Sequence, residues 1–294
     1  MSTPRTTEEI AGLHAILDRF DDVLLDQWGA LHEGRAIFPA ARDCVARLRA
    51  AGKRVLILSN SGKRAVDNER RLTELGLPRA EYDLLLTSGE ATWQGLRDRT
   101  DPTFAQFGRT CILITRGGDT GIVDELDLKI VGDPAVADFV LLAGLDDDLG
   151  AADNWRPLFT EATRRNLPML CANPDLKMFG PKGLTPAPGT LARFYESTGG
   201  RVVYVGKPHA PIFDSALRAL GRATRQRVLV IGDSLDHDVL GGRSAGLLTV
   251  LISAGVHGAE LAALAGSAGT LASVRALAGG NDRMPDWVVP HLVW

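Results

Sequence analysis

The sequence Val23-Leu24-Leu25-Asp26-Gln27-Trp28-Gly29 joins a short apolar run to an aspartate and a glycine. Such a run is typical of a buried strand, and the glycine that follows it indicates a turn. The carboxylate of Asp26 would then stand at a strand end with little steric cover, as an attacking nucleophile requires. We therefore predict a strand ending at Asp26 and a candidate nucleophile there, with a turn-forming aspartate as the alternative.

Strand and helix signals alternate on both sides of this run. The alternation favours an α/β fold, in which helices cover both faces of a parallel sheet. Ligands bind such sheets at the carboxyl ends of the strands. Helical spacing of apolar residues is found at 8–20, 39–51, 64–75 and 211–220, and further strand signals at 55–58, 202–205, 227–231 and 248–252.

The middle of the chain carries a second set of strand signals. This set predicts an inserted α/β domain at residues 90–189, and the prolines and glycines of 181–189 are typical of a linker at its exit. The remaining residues, 1–89 and 190–294, then form one discontinuous core domain. The strand signals of the insert are 111–115, 139–143 and 168–171.

Composition excludes several classes of protein. The chain has 294 residues and a net charge of only −3, so no basic excess indicates a nucleic-acid partner. No apolar stretch approaches the roughly 18 residues that a membrane span needs, and the first residues lack the apolar core of a signal peptide. The cysteines, Cys44, Cys111 and Cys171, lie among apolar neighbours and lack metal-ligand spacing. We expect a cytoplasmic protein with a small-molecule partner, no nucleic acid and no membrane.

Four polar clusters follow strand signals, so their side chains are expected at one edge of the sheet. Together they supply a nucleophilic carboxylate, oxygen ligands for a divalent cation, and a fixed cation with hydroxyl and amide donors for phosphoryl oxygens. Phosphoryl transfer needs these groups in one place. Each cluster alone is ordinary turn or surface chemistry. The clusters are Asp26-Gln27-Trp28-Gly29, Ser59-Asn60, Lys207, and Asp233 with Asp238.

The segment Gly232-Asp233-Ser234-Leu235-Asp236-His237-Asp238 is the least ordinary of the four. It places three carboxylates at one junction between a strand and a helix. Capping of the helix explains one of them, and the repulsion among the three is relieved if a cation binds there.

These residues match a known family. Leu24-Leu25-Asp26-Gln27-Trp28-Gly29-Ala30-Leu31-His32 resembles motif I of the class IIA phosphatases of the haloacid dehalogenase (HAD) superfamily, the NagD-like and pyridoxal-phosphate phosphatase-like proteins. Leu58-Ser59-Asn60 resembles motif II, Gly206-Lys207-Pro208 motif III, and Gly232 through Asp238 motif IV. The insert lies between motifs II and III, where a C2-type cap belongs. The resemblance implies a Rossmann-like HAD core of parallel strands with an inserted α/β cap.

The resemblance implies that Asp26 attacks phosphorus and becomes an aspartyl-phosphate. It also implies Mg²⁺ as the cofactor, bound by the carboxylates of Asp26 and Asp233 and by the backbone carbonyl of Trp28. The expected activity is Mg²⁺-dependent hydrolysis of a small phosphorylated metabolite, such as a sugar phosphate or a nucleotide. A homodimer is expected by the same resemblance.

The remaining matched residues surround the phosphoryl group in the family. By resemblance, Ser59 and Asn60 bind that group, and Lys207 neutralises its charge. Asp238 is expected to act with Lys207 in catalysis, either by supporting its side chain or through a metal-bound water, and Asp236 is the alternative. Candidate substrate contacts of the cap are Arg116 to Asp119, Asn173 to Asp175, whose sequence is similar to class IIA proteins, and Lys182. For Arg116 the alternative is a surface turn residue without a role in binding.

Motif I departs from the family at one position. Trp28 stands where the family normally has the aspartate that protonates the leaving oxygen, and an indole N–H has no useful acidity near neutral pH. Three interpretations follow: the acid comes from elsewhere, such as His32, His237 or the cap; the substrate has a good leaving group; or the chain binds a phosphorylated metabolite and is catalytically impaired. A related transfer, such as phosphonate or carbon–halogen chemistry, is a further alternative.

Overall fold

The apolar runs of the sequence form the strands of a seven-stranded and a five-stranded sheet. In the computed structural model, the chain divides into two compact units. The first comprises residues 1–59, 69–86 and 213–294, and the second residues 60–68 and 87–212. Lys182, a candidate substrate contact, lies outside the residues that the structure describes, which are 6–146, 152–180, 183–221, 225–265 and 269–294.

The strands are short, as is usual for α/β proteins. In chain order they are β1 (Glu8–Glu9), β2 (Asp22–Asp26), β3 (Arg54–Ser59), β4 (Leu84–Thr87), β5 (Thr110–Ile114), β6 (Lys129–Ile130), β7 (Phe139–Leu142), β8 (Pro168–Cys171), β9 (Lys177–Gly180), β10 (Gly183–Pro186), β11 (Arg201–Tyr204), β12 (Val228–Gly232), β13 (Leu248–Ile252) and β14 (Trp287–Val289).

Helices separate most of these strands. In chain order they are α1 (Pro39–Ala50), α2 (Ala65–Leu75), α3 (Ser88–Asp98), α4 (Pro102–Ala105), α5 (Arg156–Arg164), α6 (Pro188–Ser197), α7 (Ala210–Ala219), α8 (Leu240–Ser244), α9 (Gly258–Ala265) and α10 (Thr270–Ala278), with a single π-turn at Leu235–Val239. Among the described residues, none of the helices has the length and apolar character needed to cross a bilayer.

The first unit is built on a seven-stranded sheet. Its strand order is β1-β14-β13-β12-β2-β3-β4, and the registered pairs along it are parallel. The central strands β2, β3 and β12 are buried along almost their whole length, because helices cover both faces of the sheet. Ile231 pairs with Leu25, and Asp26 pairs with Leu58, so the ends of three neighbouring strands lie side by side.

The second unit has its own parallel sheet, with strand order β11-β8-β7-β5-β6, and an antiparallel hairpin of β9 and β10. Aromatic side chains fill one of its cores: the rings of Phe159 and Tyr195 are fully buried with centroids 5.1 Å apart. The predicted α/β class, a parallel core sheet with a further α/β unit inserted in the chain, is confirmed.

The exit of the inserted unit falls later than the expected position 189. β11 was expected to belong with the strands of the core, but it pairs with β8 in the second sheet. Residues up to Ile212 therefore group with the inserted unit. β11 is an edge strand whose residues are exposed or partly buried, and its short apolar run does not indicate which of the two sheets it joins.

The prediction of a helix at residues 8–20 is wrong. Glu8 and Glu9 form β1, which pairs with Trp287 and Val288 of β14 at the edge of the first sheet. A short 3-10 turn, Leu13–Ile16, follows and buries Leu13 and Ile16. The apolar spacing that indicated a helix comes from that single turn and from the approach of the chain to β2.

Candidate active site

The carboxyl ends of three neighbouring strands carry the predicted site residues of the first unit. Asp26 is the last residue of β2, Ser59 is the last residue of β3, and Asp233 directly follows β12. Since β12, β2 and β3 are adjacent and parallel, their carboxyl ends meet at one edge. This is the edge at which open α/β sheets bind ligands.

Three carboxylates converge at this edge. Asp26, Asp233 and Asp238 each offer an oxygen, and these oxygens lie within 4.8 Å of one another. Asp233 and Asp238 are buried, and Asp26 is half-buried. Asp236 does not join them: its side chain is 58% exposed and forms an ion pair with Arg283 at 3.0 Å. The geometry therefore favours Asp238 over Asp236 as the further carboxylate of the site.

Two glycines allow the backbone to approach Asp233 closely. A Cβ at Gly29 would lie 1.9 Å from Oδ2 of Asp233, and Gly29 also has a φ of +81°. A Cβ at Gly255 would lie 2.2 Å from Cβ of Asp233. In addition, the Val256 N–H donates to Oδ2 of Asp233 at 2.7 Å. The carboxylate of Asp233 is thus fixed from two loops, and no side chain larger than hydrogen fits at either glycine.

The π-turn Leu235–Val239 carries Asp238 towards the cluster. The Ser234 N–H donates to Oδ2 of Asp238 at 3.1 Å, and Oγ of Ser234 accepts from the His237 N–H at 3.1 Å. π-turns of this kind are rare and frequently occur at functional sites. Here the wider turn places the carboxylate of Asp238, five residues after Asp233, beside the carboxylates of Asp26 and Asp233.

The donor set fits a hard divalent cation. It consists of carboxylate oxygens, two of the three groups are buried, and such groups repel one another unless a cation lies among them. Mg²⁺ prefers oxygen ligands and binds through one or two carboxylates with the rest of its shell left for waters and substrate. Asp26 and Asp233 are the residues that would bind it, with the Trp28 carbonyl as the further predicted ligand.

The second unit brings together Asn60 and Lys207. The Lys207 N–H donates to Oδ1 of Asn60 at 2.7 Å, and Nδ2 of Asn60 donates to the Lys207 carbonyl at 3.0 Å and to Oδ1 of Asp175 at 2.8 Å. Lys207 is buried. Both amide hydrogens of Asn60 are therefore used within the unit. Its side chain orients the backbone at Lys207, and only its backbone N–H is left for the predicted contact with a phosphoryl group.

Comparison with known proteins places the chain in a family. A family model described as haloacid dehalogenase-like hydrolase matches residues 23–129, and a HAD-hydrolase-like model matches residues 204–292. Rat (Rattus norvegicus) chronophin is 31% identical over 96% of this chain and 89% of its own length. The chain belongs to the class IIA haloacid dehalogenase-like hydrolases.

Two further proteins are similar to this hydrolase over most of its length. The glycerol-3-phosphate phosphatase of Gallus gallus is 28% identical over 84% of this chain and 83% of its own length. The crystal structure of a haloacid dehalogenase-like hydrolase from Brucella suis 1330 is 32% identical, covers 97% of this chain and 100% of its own, and has a TM-score of 0.79. The hydrolase is an enzyme of the HAD phosphatase type.

Trp28 lies at the surface of the motif I loop of the hydrolase. Its side chain is 41% exposed, and its ring meets the ring of His32 edge-on with centroids 5.4 Å apart. The indole also packs on Gly34, where a Cβ would lie 2.7 Å from it. Trp28 therefore covers one side of the loop and presents no acidic group.

His32 is a structural residue of the same loop. The Gly34 N–H donates to Nδ1 of His32 at 3.0 Å, so the ring proton lies on Nε2. Nε2 lies 3.1 Å from the amide nitrogen of Gln27, and a hydrogen bond there requires the amide to be turned so that its oxygen accepts. Burial, and secondly the charge of Arg71, lower the pKa of His32 to about 4. The imidazole is neutral near pH 7, and its Nδ1 already accepts a hydrogen bond from the backbone of the loop. This disfavours His32 as the missing general acid.

The buried His32 makes stability depend on pH. Its pKa is about 4 in the folded state and about 6.5 in an unfolded chain, so the unfolded state binds the proton first as pH falls. The free energy of unfolding therefore decreases below pH 6.5, and His32 contributes a loss of about 2 kcal/mol between pH 7.5 and pH 5. Urea unfolding of wild type and His32→Gln at both pH values measures this contribution. Equal losses in the two proteins would contradict it.

The second unit also contains a small pocket of about 150 Å³. Residues 61–64, which directly follow Asn60, form part of its wall, and Arg116 lies on another part. Nε of Arg116 donates to the Leu145 carbonyl at 3.0 Å, and Lys63 forms an ion pair with Asp119 at 3.0 Å. The wall combines apolar and charged side chains, as sites for small polar molecules do.

Sequence reasoning predicted only part of the set of residues that fix the predicted site. Asp175 belongs to a segment that the sequence indicated as a candidate substrate contact, and its carboxylate accepts from the side chain of Asn60. Gly255 and Val256 gave no such signal, because their contacts with Asp233 arise from the pairing of β12 with β13.

Proposed function

We propose that the chain is a Mg²⁺-dependent phosphohydrolase that acts on a small phosphorylated metabolite through an aspartyl-phosphate at Asp26. The observation that supports this most directly is the convergence of Asp26, Asp233 and Asp238 at the carboxyl edge of the first sheet. A half-buried carboxylate beside two buried ones fits a nucleophile that shares a cation with its neighbours.

The chemistry at Asp26 has two steps. An oxygen of Asp26 attacks phosphorus, the bond from phosphorus to the leaving oxygen breaks, and the electron pair leaves with that oxygen. Water then attacks the aspartyl-phosphate, which releases inorganic phosphate and regenerates the carboxylate. Ser59 and the backbone N–H of Asn60 are proposed to bind the phosphoryl oxygens, and Lys207 to balance their charge, supported by Asp238. When bound, Mg²⁺ supplies Lewis-acid stabilisation of the charge on the transferring group.

The proposed chemistry lacks an identified donor for the proton that the leaving oxygen needs. Trp28 cannot donate it, and His32 is neutral and hydrogen-bonded. A positioned acid contributes about 10²–10⁴-fold to such a step. We therefore propose that the enzyme favours substrates whose leaving oxygen needs little protonation, such as aryl or acyl phosphates.

The substrate class is proposed from size and from relatives. The pocket in the second unit, about 150 Å³, suits a small organic group. The Gallus gallus relative is named for a three-carbon phosphate ester, which is a small metabolite. A cytoplasmic location and a homodimer belong to the same proposal.

Removal of the cation tests the proposal. With a panel of aryl and alkyl phosphate esters, we expect phosphate release in the presence of Mg²⁺, a fall of about 10²-fold after treatment with EDTA, and recovery when Mg²⁺ is returned. Release should fall steeply as the pKa of the leaving group rises. Hydrolysis that is equally fast in EDTA would contradict the role of the cation.

The alternative is a catalytically impaired protein that binds a phosphorylated metabolite, and Trp28 at the acid position is the observation that favours it. Calorimetry with the same esters distinguishes the two. Tight binding of an ester without turnover under any metal condition would support the binding protein and exclude the phosphohydrolase.

A further inference from the structure

The loop that follows β13 contacts the motif IV segment at two successive residues. The Val256 N–H donates to Oδ2 of Asp233 at 2.7 Å, and Nε2 of His257 accepts from the Leu235 N–H at 3.2 Å. Leu235 lies between Asp233 and Asp238 in the chain, at the start of the π-turn. This loop therefore fixes one carboxylate directly and the backbone that connects it to the other.

The ring of His257 has a defined orientation. A backbone N–H can only donate, so Nε2 of His257 must be the unprotonated nitrogen and the ring proton lies on Nδ1. Nδ1 lies 3.1 Å from Oε2 of Glu260, which accepts that proton in a hydrogen bond. Glu260 is in the first turn of α9, and the side chain of His257 is only 13% exposed. A chain of two hydrogen bonds thus joins α9 to the π-turn.

We propose that His257 is a positioning residue for the cation site, a role that rests on the proposed function. Its Nε2 satisfies the Leu235 N–H, and this bond keeps the π-turn in the conformation that places Asp238 beside Asp233. Without an acceptor, a mostly buried N–H is left unpaired, and the turn must move to reach water or another acceptor. Mg²⁺ demands a nearly ideal arrangement of its ligands, so a small shift of either carboxylate weakens binding.

The binding of Mn²⁺ by the full chain, without substrate, tests this role. Electron paramagnetic resonance of free Mn²⁺ gives the Kd directly, and Mn²⁺ accepts the same oxygen ligands as Mg²⁺. We expect His257→Leu, which fills similar space without an acceptor, to raise the Kd about tenfold, as loss of an outer-shell partner does. His257→Gln places an oxygen near the position of Nε2, so its Kd should stay within about threefold of wild type.

A second variant keeps the test informative if His257→Leu does not fold. Glu260 is 62% exposed, so Glu260→Ala should fold normally while freeing the His257 ring, and we expect a rise in Kd of about threefold. His291→Leu, at an exposed histidine outside the network, is the matched control and should bind Mn²⁺ as wild type does.

The two failures are distinguishable. If wild type binds Mn²⁺ and folded His257→Leu or Glu260→Ala binds it equally well, the positioning role is overturned and the proposed function stands. If wild type itself binds no Mn²⁺, the metal-assisted function is overturned, and this inference with it. A rise in Kd for His257→Leu that glutamine does not reverse would also contradict the role of the acceptor.

Discussion

Asp26→Asn should reduce the turnover of p-nitrophenyl phosphate by about 10⁴-fold or more, because the amide cannot form the covalent intermediate. Asp26 is half-buried at the end of a buried strand, and asparagine has nearly the same volume, so the variant should fold as wild type does. Steady-state release of p-nitrophenol with saturating Mg²⁺ measures the loss, and circular dichroism verifies the fold.

Asp236→Asn is the matched control for this result. Asp236 lies in the π-turn beside Asp238, but its side chain is 58% exposed and pairs with Arg283. Its loss should change turnover by less than about threefold, since exposed ion pairs contribute little. Comparable losses in Asp26→Asn and Asp236→Asn would contradict the assignment of Asp26 as the nucleophile.

Trp28→Asp should raise the hydrolysis of alkyl phosphates by about 10²-fold or more, because it supplies the acid that motif I lacks. Aryl phosphates should gain much less, since their leaving oxygens need little protonation. The indole is 41% exposed, so its removal leaves the core of the first unit unchanged. The measurement is the ratio of kcat/KM for a matched pair of alkyl and aryl esters. This ratio does not depend on the fraction of active enzyme in each preparation.

Trp28→Asn is the control that distinguishes the effect of adding an acid from the effect of removing the indole ring. Asparagine has the size of aspartate and no acidic proton, so it should not increase the turnover of alkyl phosphates. If Trp28→Asn and Trp28→Asp gain equally, the indole obstructs the site and the missing acid is not the limitation. If Trp28→Asp is folded and no faster than wild type, the leaving-group proposal fails.

Much of the secondary structure of the first unit could be predicted, because it depends on patterns of neighbouring residues in the sequence. The strands β2, β3, β12 and β13 are short apolar runs that end in a polar residue or directly precede one, and each is buried as its pattern indicates. β1 could not be predicted from such a pattern. Glu8 and Glu9 are exposed and charged, and they form a strand only because β14, far away in the chain, offers a parallel partner.

In the candidate site, too, features with a local sequence pattern could be predicted, and contacts between distant residues could not. The convergence of Asp26, Asp233 and Asp238 could be predicted because polar residues that follow parallel strands lie at one edge of the sheet. The use of the Asn60 amide by Lys207 was not found, since a side chain that binds a distant backbone has no signature in one sequence. The role of His257 was missed for the same reason: its partner, Leu235, is brought to it only by the packing of β13 beside β12.

The pairing of β2 with β12 has a consequence for how the protein folds. Residues at the start of these strands, such as Asp21 and Arg227, are 206 positions apart, and the inserted unit lies between them. Closing so long a loop costs entropy before any contact compensates for it, so pairings of this kind form slowly. Asp26 reaches Asp233 only after that closure, although each lies in a segment whose local structure can form early. We therefore expect the cation site to be among the last features that a refolding or newly synthesised chain acquires.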